Sequence, residues 1–263
     1  MAAKIALLVA YDGTDLHGFA RQPTRRTVQG LLEGSLSQLL RVSIRTTGAG
    51  RTDAGVHAAG QVVSFEAPDG TDPEWVASRL NRRLGPEVSI RGAAAVSASF
   101  DARFSAKRRE YEYHLYRSTP PDPFLDRFAV HVPGPLDLKA MRVAAKAFIG
   151  EHDFSSFCRR GEGSLVRRVR AITMSAPAPE RLVIRVIADS FCHQMVRSLV
   201  GLLLDVGRGK RPASDARRAL AARDRAAAGP VAPAKGLILR SVAYARSPFG
   251  LTPPPGAGSI QGR

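Results

Sequence analysis

The sequence is poor in cysteine. Its 263 residues include only Cys158 and Cys192, and the two do not have the spacing of a metal site. A small protein held together by several disulfides is therefore excluded. We expect no disulfide framework and a reducing, cytoplasmic environment.

Long apolar runs are also missing. The run near the start, Ile5–Ala10, is too short for the hydrophobic region of a signal peptide, and Asp12 and Asp15 follow it at once. No stretch approaches the length needed to span a membrane. We expect a soluble protein inside the cell, without a membrane partner.

Acidic residues are few compared with basic ones. The chain has 23 Asp and Glu against 39 Lys and Arg, a formal net charge of +16. Such an excess predicts a polyanionic partner, most simply a nucleic acid, because each neutralised phosphate releases counterions. The alternative is a basic surface kept for solubility, or arginine enrichment from a GC-rich genome.

Several familiar catalytic motifs are absent. Gly48–Gly50 lacks the third glycine of a dinucleotide-binding fingerprint, no Gly-Lys-Ser/Thr follows it, and the chain has no Gly-x-Ser-x-Gly motif. The six histidines are scattered singly and complete no metal site. We therefore expect no metal and no organic cofactor, and a reaction centred on a carboxylate.

The apolar pattern predicts strands interleaved with helices, an α/β or α+β arrangement. Thr27 is the expected N-cap of a helix over 28–40, and 73–84 is expected to be a basic helix with Trp75 inward. The other expected helices are 138–148, 192–206 and 214–223. The expected strands are 5–10, 42–47, 60–65, 88–96, 110–116, 169–175, 182–188 and 237–244.

The proline-rich stretch 118–126 is the expected boundary between two halves. We predict an N-terminal half over 1–118, a C-terminal half over 119–246, and a disordered tail over 247–263, which is rich in proline and glycine.

The segment 48–58, GAGRTDAGVHA, is the candidate functional loop. Its three glycines allow positive φ and close approach by another group. It carries one guanidinium, Arg51, one carboxylate, Asp53, and one imidazole, His57. A hairpin whose aspartate only caps a turn is the alternative interpretation.

Arg197 precedes an almost wholly apolar helical segment, 199–206. A guanidinium in such surroundings is costly unless an anion meets it, either a carboxylate of the chain, such as Asp53, or a phosphate of the partner. The alternative is an arginine that reaches water from the helix end.

Alternation along 110–116 places Tyr111, Tyr113 and Leu115 on one face of a strand. A tyrosine face can stack an unpaired nucleobase, although core packing is the commoner role of strand aromatics. Basic side chains nearby would hold the flanking phosphates. The candidate RNA-binding residues are Arg79, Arg82, Arg83, Arg103, Lys107, Arg108 and Arg109.

Several ordered motifs together resemble the TruA-type tRNA pseudouridine synthases. The loop GAGRTDAGVHA is similar to the signature of that family. Further similar segments, which extend the resemblance over about residues 4–245, are Tyr11–Thr14 through Pro23, Thr27–Gln29, Phe104–Ala106 running into Tyr111–Tyr113, and Phe191–Gly201.

The resemblance implies a fold of two similar halves, each a mainly antiparallel sheet with helices packed on one face, joined across a central basic cleft. It implies isomerisation of uridine to pseudouridine at positions 38–40 of the tRNA anticodon stem-loop, by a homodimer without cofactor. Asp53 would be the nucleophile that attacks a flipped-out uridine, and Arg51 would hold the displaced nucleotide. Tyr111 would contact the base, and Arg197 would pair with Asp53.

The chain departs from the family pattern at Leu16, Phe19 and Ser198, where we expect effects on substrate contacts at the edge of the site. Two other functions remain possible at this point. A non-catalytic tRNA-binding or chaperone protein could use the same cleft, whereas another RNA-modifying enzyme, such as a methyltransferase, would need a nucleotide-cofactor loop that we do not find.

Overall fold

The structure is a computed structural model that describes residues 3–159 and 163–250. Its elements in chain order are β1 (Ala3–Tyr11), α1 (Val28–Leu40), β2 (Thr46–Gly48), β3 (His57–Ala67), α2 (Pro73–Leu84), β4 (Val88–Val96), β5 (Ala106–Tyr116), β6 (Val130–His131), α3 (Leu138–Lys146), β7 (Gly150–Asp153), β8 (Val166–Ala178), β9 (Arg181–Ala188), α4 (Met195–Gly207), α5 (Asp215–Ala222) and β10 (Leu237–Tyr244).

The chain forms two compact units, one of Met1–Lys107 with Leu239–Arg263 and the other of Arg108–Ile238. The boundaries of these units, after Lys107 and after Ile238, differ from the predicted boundaries after 118 and after 246. Most of β5, which we assigned to the N-terminal half, packs within the second unit, and most of β10 returns to the first. The predicted tail lies outside the described residues from 251 onward.

The sheet of the first unit has the strand order β4-β1-β3-β10, with β2 also paired to β3. β1 is antiparallel to both neighbours, with Ile5 opposite Phe65 and Leu7 opposite Val63 in β3. These four side chains are at most 2% exposed. The apolar run of β1 is therefore buried because it is a central strand.

Helix α1 of the first unit begins and ends where the sequence predicts. The Thr27 side chain accepts a hydrogen bond from the Gly30 amide and caps the first turn. Leu32 and Leu36, one turn apart, are fully buried. Local capping and an apolar stripe thus fix this helix without information from distant residues.

Helix α2 also has the predicted bounds, but the prediction that Trp75 faces inward is wrong. Val76 and Leu80 form the buried stripe, whereas Trp75 is 40% exposed, with the Arg79 guanidinium 5.8 Å from its ring. The buried stripe follows the i, i+4 spacing of Val76 and Leu80, and Trp75 lies outside it.

The sheet of the second unit has the order β5-β9-β8-β7, with antiparallel pairs throughout and the short β6 parallel to β5. The prediction of mainly antiparallel sheets with helices is confirmed. Tyr111, Tyr113 and Leu115 are buried on one face of β5 as expected. Tyr116 is buried too, since its ring lies 4.9 Å from that of His131 in β6.

Helix α4 of the second unit is buried along most of its length, as its composition predicts. It begins at Met195 rather than Cys192 because Gln194 has a positive φ of 66°, which cannot continue a right-handed helix. Gly201 is required in its middle. A Cβ there would lie 2.0 Å from the Pro230 carbonyl oxygen, so α4 and the segment around 230 approach backbone to backbone.

Cys158 and Cys192 lie next to each other in the second unit, which the sequence analysis did not predict. The two Cα atoms are 5.8 Å apart, within the range that a disulfide spans. The residues are 34 positions apart in sequence. Their adjacency comes from the fold of the second unit, which their sequence spacing does not encode.

Candidate active site

The candidate loop joins β2 to β3 in the first unit and carries Arg51 and Asp53. Arg51 is exposed and Asp53 is half-buried. The Asp53 carbonyl accepts a hydrogen bond from the Val56 amide at 3.1 Å, which closes a turn directly after the carboxylate. The loop thus presents a cation and an anion two positions apart on a defined turn.

Thr52, between the two charged residues, is fixed by Tyr11 of β1. The Tyr11 and Thr52 hydroxyls are 2.8 Å apart, and both side chains are buried. Burial raises the pKa of Tyr11 to about 12, so its hydroxyl stays protonated at neutral pH. The Phe19 amide binds the Thr52 carbonyl from the other side at 3.0 Å.

Gly50, just before Arg51, is held by the Gln61 side chain of β3. The Gln61 amide nitrogen donates to the Gly50 carbonyl at 2.6 Å, and its oxygen accepts from the Gly50 amide at 3.3 Å. Gln61 is fully buried. A buried carboxamide that satisfies both backbone polar groups of one residue fixes the position of that residue.

The far end of the loop packs against the turn after β1. A Cβ on Gly13 would lie 2.0 Å from the Val56 carbonyl oxygen, so only glycine allows this approach. The Gly13 amide donates to Nδ1 of His57 at 3.1 Å, and this buried imidazole also lies 3.2 Å from the Asp12 carboxylate. His57 therefore anchors the loop.

Helix α1 positions β2, which leads into the loop. The carboxylate of Glu33, only 3% exposed, accepts a hydrogen bond from the Thr46 amide at 2.9 Å. Gln29, one turn earlier, donates to the Thr46 carbonyl at 2.8 Å. Arg21 lies 3.1 Å from Glu33 and supplies a positive charge beside it. The helix thus binds both backbone groups of the first residue of β2.

Arg197, in the second unit, lies in the first turn of α4 and is half-buried. Its Nε donates to the Ala232 carbonyl at 2.8 Å, and the Ala232 amide donates to the Arg197 carbonyl at 3.1 Å. The first bond orients the side chain, and the second ties the Arg197 backbone to that of Ala232. One edge of the guanidinium is thereby oriented by the backbone of its own unit.

The two tyrosines of β5 are both buried in the second unit. Tyr111 packs edge-on against Phe191, with 5.1 Å between ring centroids. Tyr113 donates its hydroxyl to the Pro233 carbonyl at 2.7 Å, so it is a core residue. Burial raises the pKa of Tyr113, and the positive charge of Arg197 offsets part of that rise.

Comparison with known proteins identifies the chemistry. The family model for tRNA pseudouridine synthase matches residues 7–105 and 144–245. The chain belongs to this family. A tRNA pseudouridine synthase A of Halalkalibacterium halodurans is 44% identical over 238 residues, which cover 89% of this chain and 90% of the relative.

Two further relatives of the same name agree over similar spans. The Frankia casuarinae protein is 44% identical over 93% of this chain and 90% of its own length, and the Corynebacterium glutamicum protein is 42% identical over 92% and 89%. The prediction of a tRNA pseudouridine synthase, an isomerase that modifies tRNA, is confirmed.

The predicted site residues of this family member divide between the two units. The first unit holds Asp53 and Arg51, and the second holds Tyr111 and Arg197. The pairing of Asp53 with Arg197 stays a prediction. Within the residues that the structure describes, no group of three or more His, Cys, Asp or Glu side chains could hold a metal ion. The helices among those residues are all too short or too polar to cross a membrane.

The predicted RNA-binding residues do not share one environment. Arg109 is buried and donates to the Asp189 carbonyl at 2.8 Å, and its contact with RNA stays a prediction. The others have exposed side chains and remain candidates for phosphate contact: Arg79, Arg82, Arg83, Arg103, Lys107 and Arg108.

The three departures from the family pattern are buried. Leu16 and Phe19 are 2% exposed and Ser198 is fully buried. The Phe19 ring lies against Gly48, where an added Cβ would be 2.4 Å away. Leu16 and Phe19 therefore contribute to packing, and an effect of the three residues on substrate contacts stays a prediction.

Sequence reasoning missed the residues that fix the loop, chiefly Tyr11 and Gln61. A signal was present for Gln61, because it is a large polar residue inside the mainly apolar strand 60–65. A polar side chain in a buried strand needs a partner, and the adjacent loop backbone is a near source of one. Tyr11 gave no comparable signal.

Proposed function

We propose that this protein isomerises uridine to pseudouridine at positions 38–40 of the tRNA anticodon stem-loop, with Asp53 as the nucleophile on a flipped-out nucleotide. One observation carries the proposal. The backbone on both sides of Asp53 is fixed by the buried partners Tyr11, Gln61 and Gly13, while Arg51 is exposed. A nucleophile must be held rigidly relative to a reactant that enters from outside.

The carboxylate divides a difficult rearrangement into two steps. The glycosidic bond between N1 of uracil and C1′ of ribose must break, and a bond between C5 and C1′ must form. A bond from an Asp53 oxygen, either to C1′ or to the uracil ring, would hold one fragment during rotation of the base and would break again when the new bond is complete. The C5 proton leaves, and N1 gains a proton.

The other predicted residues take supporting roles in this proposal. Arg51 would hold the displaced nucleotide, since its exposed guanidinium can reach a phosphate. Tyr111 would contact the base, and Arg197 would pair with Asp53. We also propose that the protein acts as a homodimer in the cytoplasm, with no metal and no organic cofactor.

Tritium release from tRNA that carries [5-³H]uridine tests the proposal directly. Wild-type protein should release tritium, and Asp53→Asn should reduce the rate by about a thousandfold or more, as expected when a covalent nucleophile is removed. Affinity for tRNA should stay within about tenfold, because phosphate contacts dominate binding. Asp69→Asn, the same charge change on an exposed turn of the same unit, is the matched control.

Transcripts that carry cytidine at 38, 39 and 40 test the position. They should release no tritium, while a transcript with uridine at only one of these positions should release it. If Asp53→Asn retains full turnover, the aspartate mechanism is wrong. If folded wild-type protein releases no tritium from any tRNA, the non-catalytic tRNA-binding alternative replaces the whole proposal.

A further inference from the structure

Phe104 is an exposed aromatic residue on a rigid turn of the first unit. Its side chain is 79% exposed, although the neighbouring Ala102 is fully buried. The ring gives up the stabilisation that its burial would bring, and its face is open to a ligand.

Four local hydrogen bonds build the turn that carries Phe104. The Asp101 carboxylate accepts from the amides of Arg103 and Phe104, at 2.7 and 2.8 Å. The Asp101 carbonyl accepts from the Ser105 amide at 3.0 Å, and the Ser105 hydroxyl accepts from the Asp101 amide at 3.1 Å. The direction of the Phe104 backbone is therefore defined by the turn itself.

Two further bonds anchor this turn to the sheet of the first unit. The Ala102 amide donates to the Ser64 hydroxyl of β3 at 3.1 Å, and the Tyr244 hydroxyl of β10 donates to the Ala102 carbonyl at 2.7 Å. The turn is thus fixed relative to β3, the strand that follows the Asp53 loop. An exposed ring on a fixed backbone segment loses less freedom when it binds a ligand.

The charges around Phe104 indicate the kind of ligand. The Arg103 guanidinium lies 5.4 Å from the ring centroid, and the exposed Lys107 of the same unit follows three positions after Phe104 in the sequence. An aromatic plane beside exposed cations matches an unpaired nucleobase and its flanking phosphates, which combine a flat π surface with negative charge.

We propose that Phe104 stacks an unpaired base of the tRNA substrate, while Arg103 contacts an adjacent phosphate. This inference deepens the proposed function and rests on it for the identity of the RNA. Stacking is tolerant of base identity, so the contact would hold the loop of the RNA without selecting its sequence.

Equilibrium binding separates stacking from charge. The probe is a tRNA transcript with cytidine at 38–40, which prevents turnover, and with 2-aminopurine at an unpaired anticodon-loop position. Phe104→Ala should weaken binding about tenfold, the loss expected for one stacked base, and should leave the salt slope unchanged. Arg103→Ala should weaken binding and lower the salt slope by about one.

The choice of replacement makes the test specific to an aromatic plane. Phe104→Trp should bind within about twofold of wild type and should retain the quenching of 2-aminopurine fluorescence that stacking on the aromatic ring causes. Phe104→Leu, which is apolar but not flat, should bind as weakly as Phe104→Ala. Phe124→Ala is the matched control, since Phe124 is 92% exposed in the second unit and should leave binding unchanged. The exposed position of Phe104 predicts normal folding of every variant.

Three results would overturn the stacking proposal: wild-type affinity in Phe104→Ala, wild-type affinity in Phe104→Leu, or a loss of self-association in Phe104→Ala with tRNA affinity unchanged. The last would assign the ring to contact with a second copy of the chain. The catalytic proposal can fail separately from the stacking proposal. If no tritium is released but 2-aminopurine quenching still depends on Phe104, the catalytic proposal is wrong and the stacking proposal stands.

Discussion

The Asp53 loop and helix α4 both carry predicted site residues, but different forces hold them in place. The loop is fixed by buried polar side chains that bind its backbone, with Tyr11 on Thr52 and Gln61 on Gly50. Helix α4 is fixed by apolar packing of residues such as Leu199 and Leu203, both fully buried. The contacts of the loop lie within the first unit, and those of α4 lie within the second.

The difference predicts how the two regions respond to substitution. Apolar packing is non-directional, so a smaller side chain in α4 lowers the free energy of unfolding and leaves the remaining geometry nearly intact. Hydrogen bonds are directional, so loss of one from the loop allows the backbone to move. We therefore expect α4 variants to affect stability first and loop variants to affect turnover first.

Leu203→Ala should give the largest effect on stability. It removes a fully buried side chain from α4, and the lost burial together with the cavity should cost about 3 kcal/mol in the free energy of unfolding. Urea denaturation measures this loss. Tritium release per folded molecule should stay within about threefold of wild type, because the backbone of α4 keeps its position.

Val143→Ala is the matched control for that prediction. Val143 is 54% exposed on α3 of the same unit, and its truncation should change the free energy of unfolding by less than about 0.5 kcal/mol. An equal loss in the two variants would contradict the assignment of α4 to the core of the second unit.

Alkaline pH should destabilise the fold through the buried tyrosines. The pKa of Tyr11 is raised to about 12 from the ordinary value of 10.0, so between these values the unfolded chain has lost a proton that the folded chain keeps. Stability from Tyr11 is complete below pH 10 and is lost as the pH rises to 12, by about 2 to 3 kcal/mol. Burial also raises the pKa of Tyr113, and its contribution has the same sign.

Urea midpoints between pH 8 and 12 measure this dependence. Tyr11→Phe is the reference, because it keeps the ring and removes the ionisable group. The fall in stability above pH 10 should be smaller in Tyr11→Phe than in wild type. Identical slopes would show that Tyr11 ionises equally in the folded and unfolded chains.

The comparison also separates what the sequence could predict from what it could not. Helix α1 was predicted to the residue because Thr27 and the leucine stripe act within one element. The motif around Asp53 was recognised from contiguous residues in the same way. Trp75 was wrongly placed because the helical pattern locates only the apolar stripe. Tertiary packing decides whether a side chain at the edge of that stripe is buried or exposed.

The partners of the loop could not be read from local pattern. Tyr11 lies 41 positions before Thr52, and Cys158 lies 34 positions before Cys192, so each pair depends on strand and helix arrangement. Gln61 is a partial exception, since a polar residue in a buried strand indicates an unidentified partner. Sequence therefore located the chemical groups better than it located the contacts that orient them.

Gln61→Leu should affect turnover more than its effect on stability suggests. The change leaves both polar groups of Gly50 without their buried partner, which should cost about 2 kcal/mol in the free energy of unfolding. The loop before Arg51 should then move, and kcat for tritium release should fall about tenfold, while affinity for tRNA stays within about threefold.

Gln38→Leu is the control, because it makes the same replacement at an exposed position of α1. It should leave kcat unchanged. A fall in tRNA affinity with constant kcat for Gln61→Leu would show that Gln61 supports binding and does not orient the loop.

Tyr11→Phe at neutral pH should give the smallest effect, and it tests the directional argument most closely. The ring and its packing remain, and only the hydroxyl that faces Thr52 at 2.8 Å is lost. We expect about 1 kcal/mol in the free energy of unfolding and a severalfold fall in kcat with affinity for tRNA unchanged. Thr52→Val removes the other half of the same bond, so the double variant should lose no more than the larger single loss. Additive losses in the double variant would show that the two hydroxyls act independently, and the loop would then be held by its remaining contacts alone.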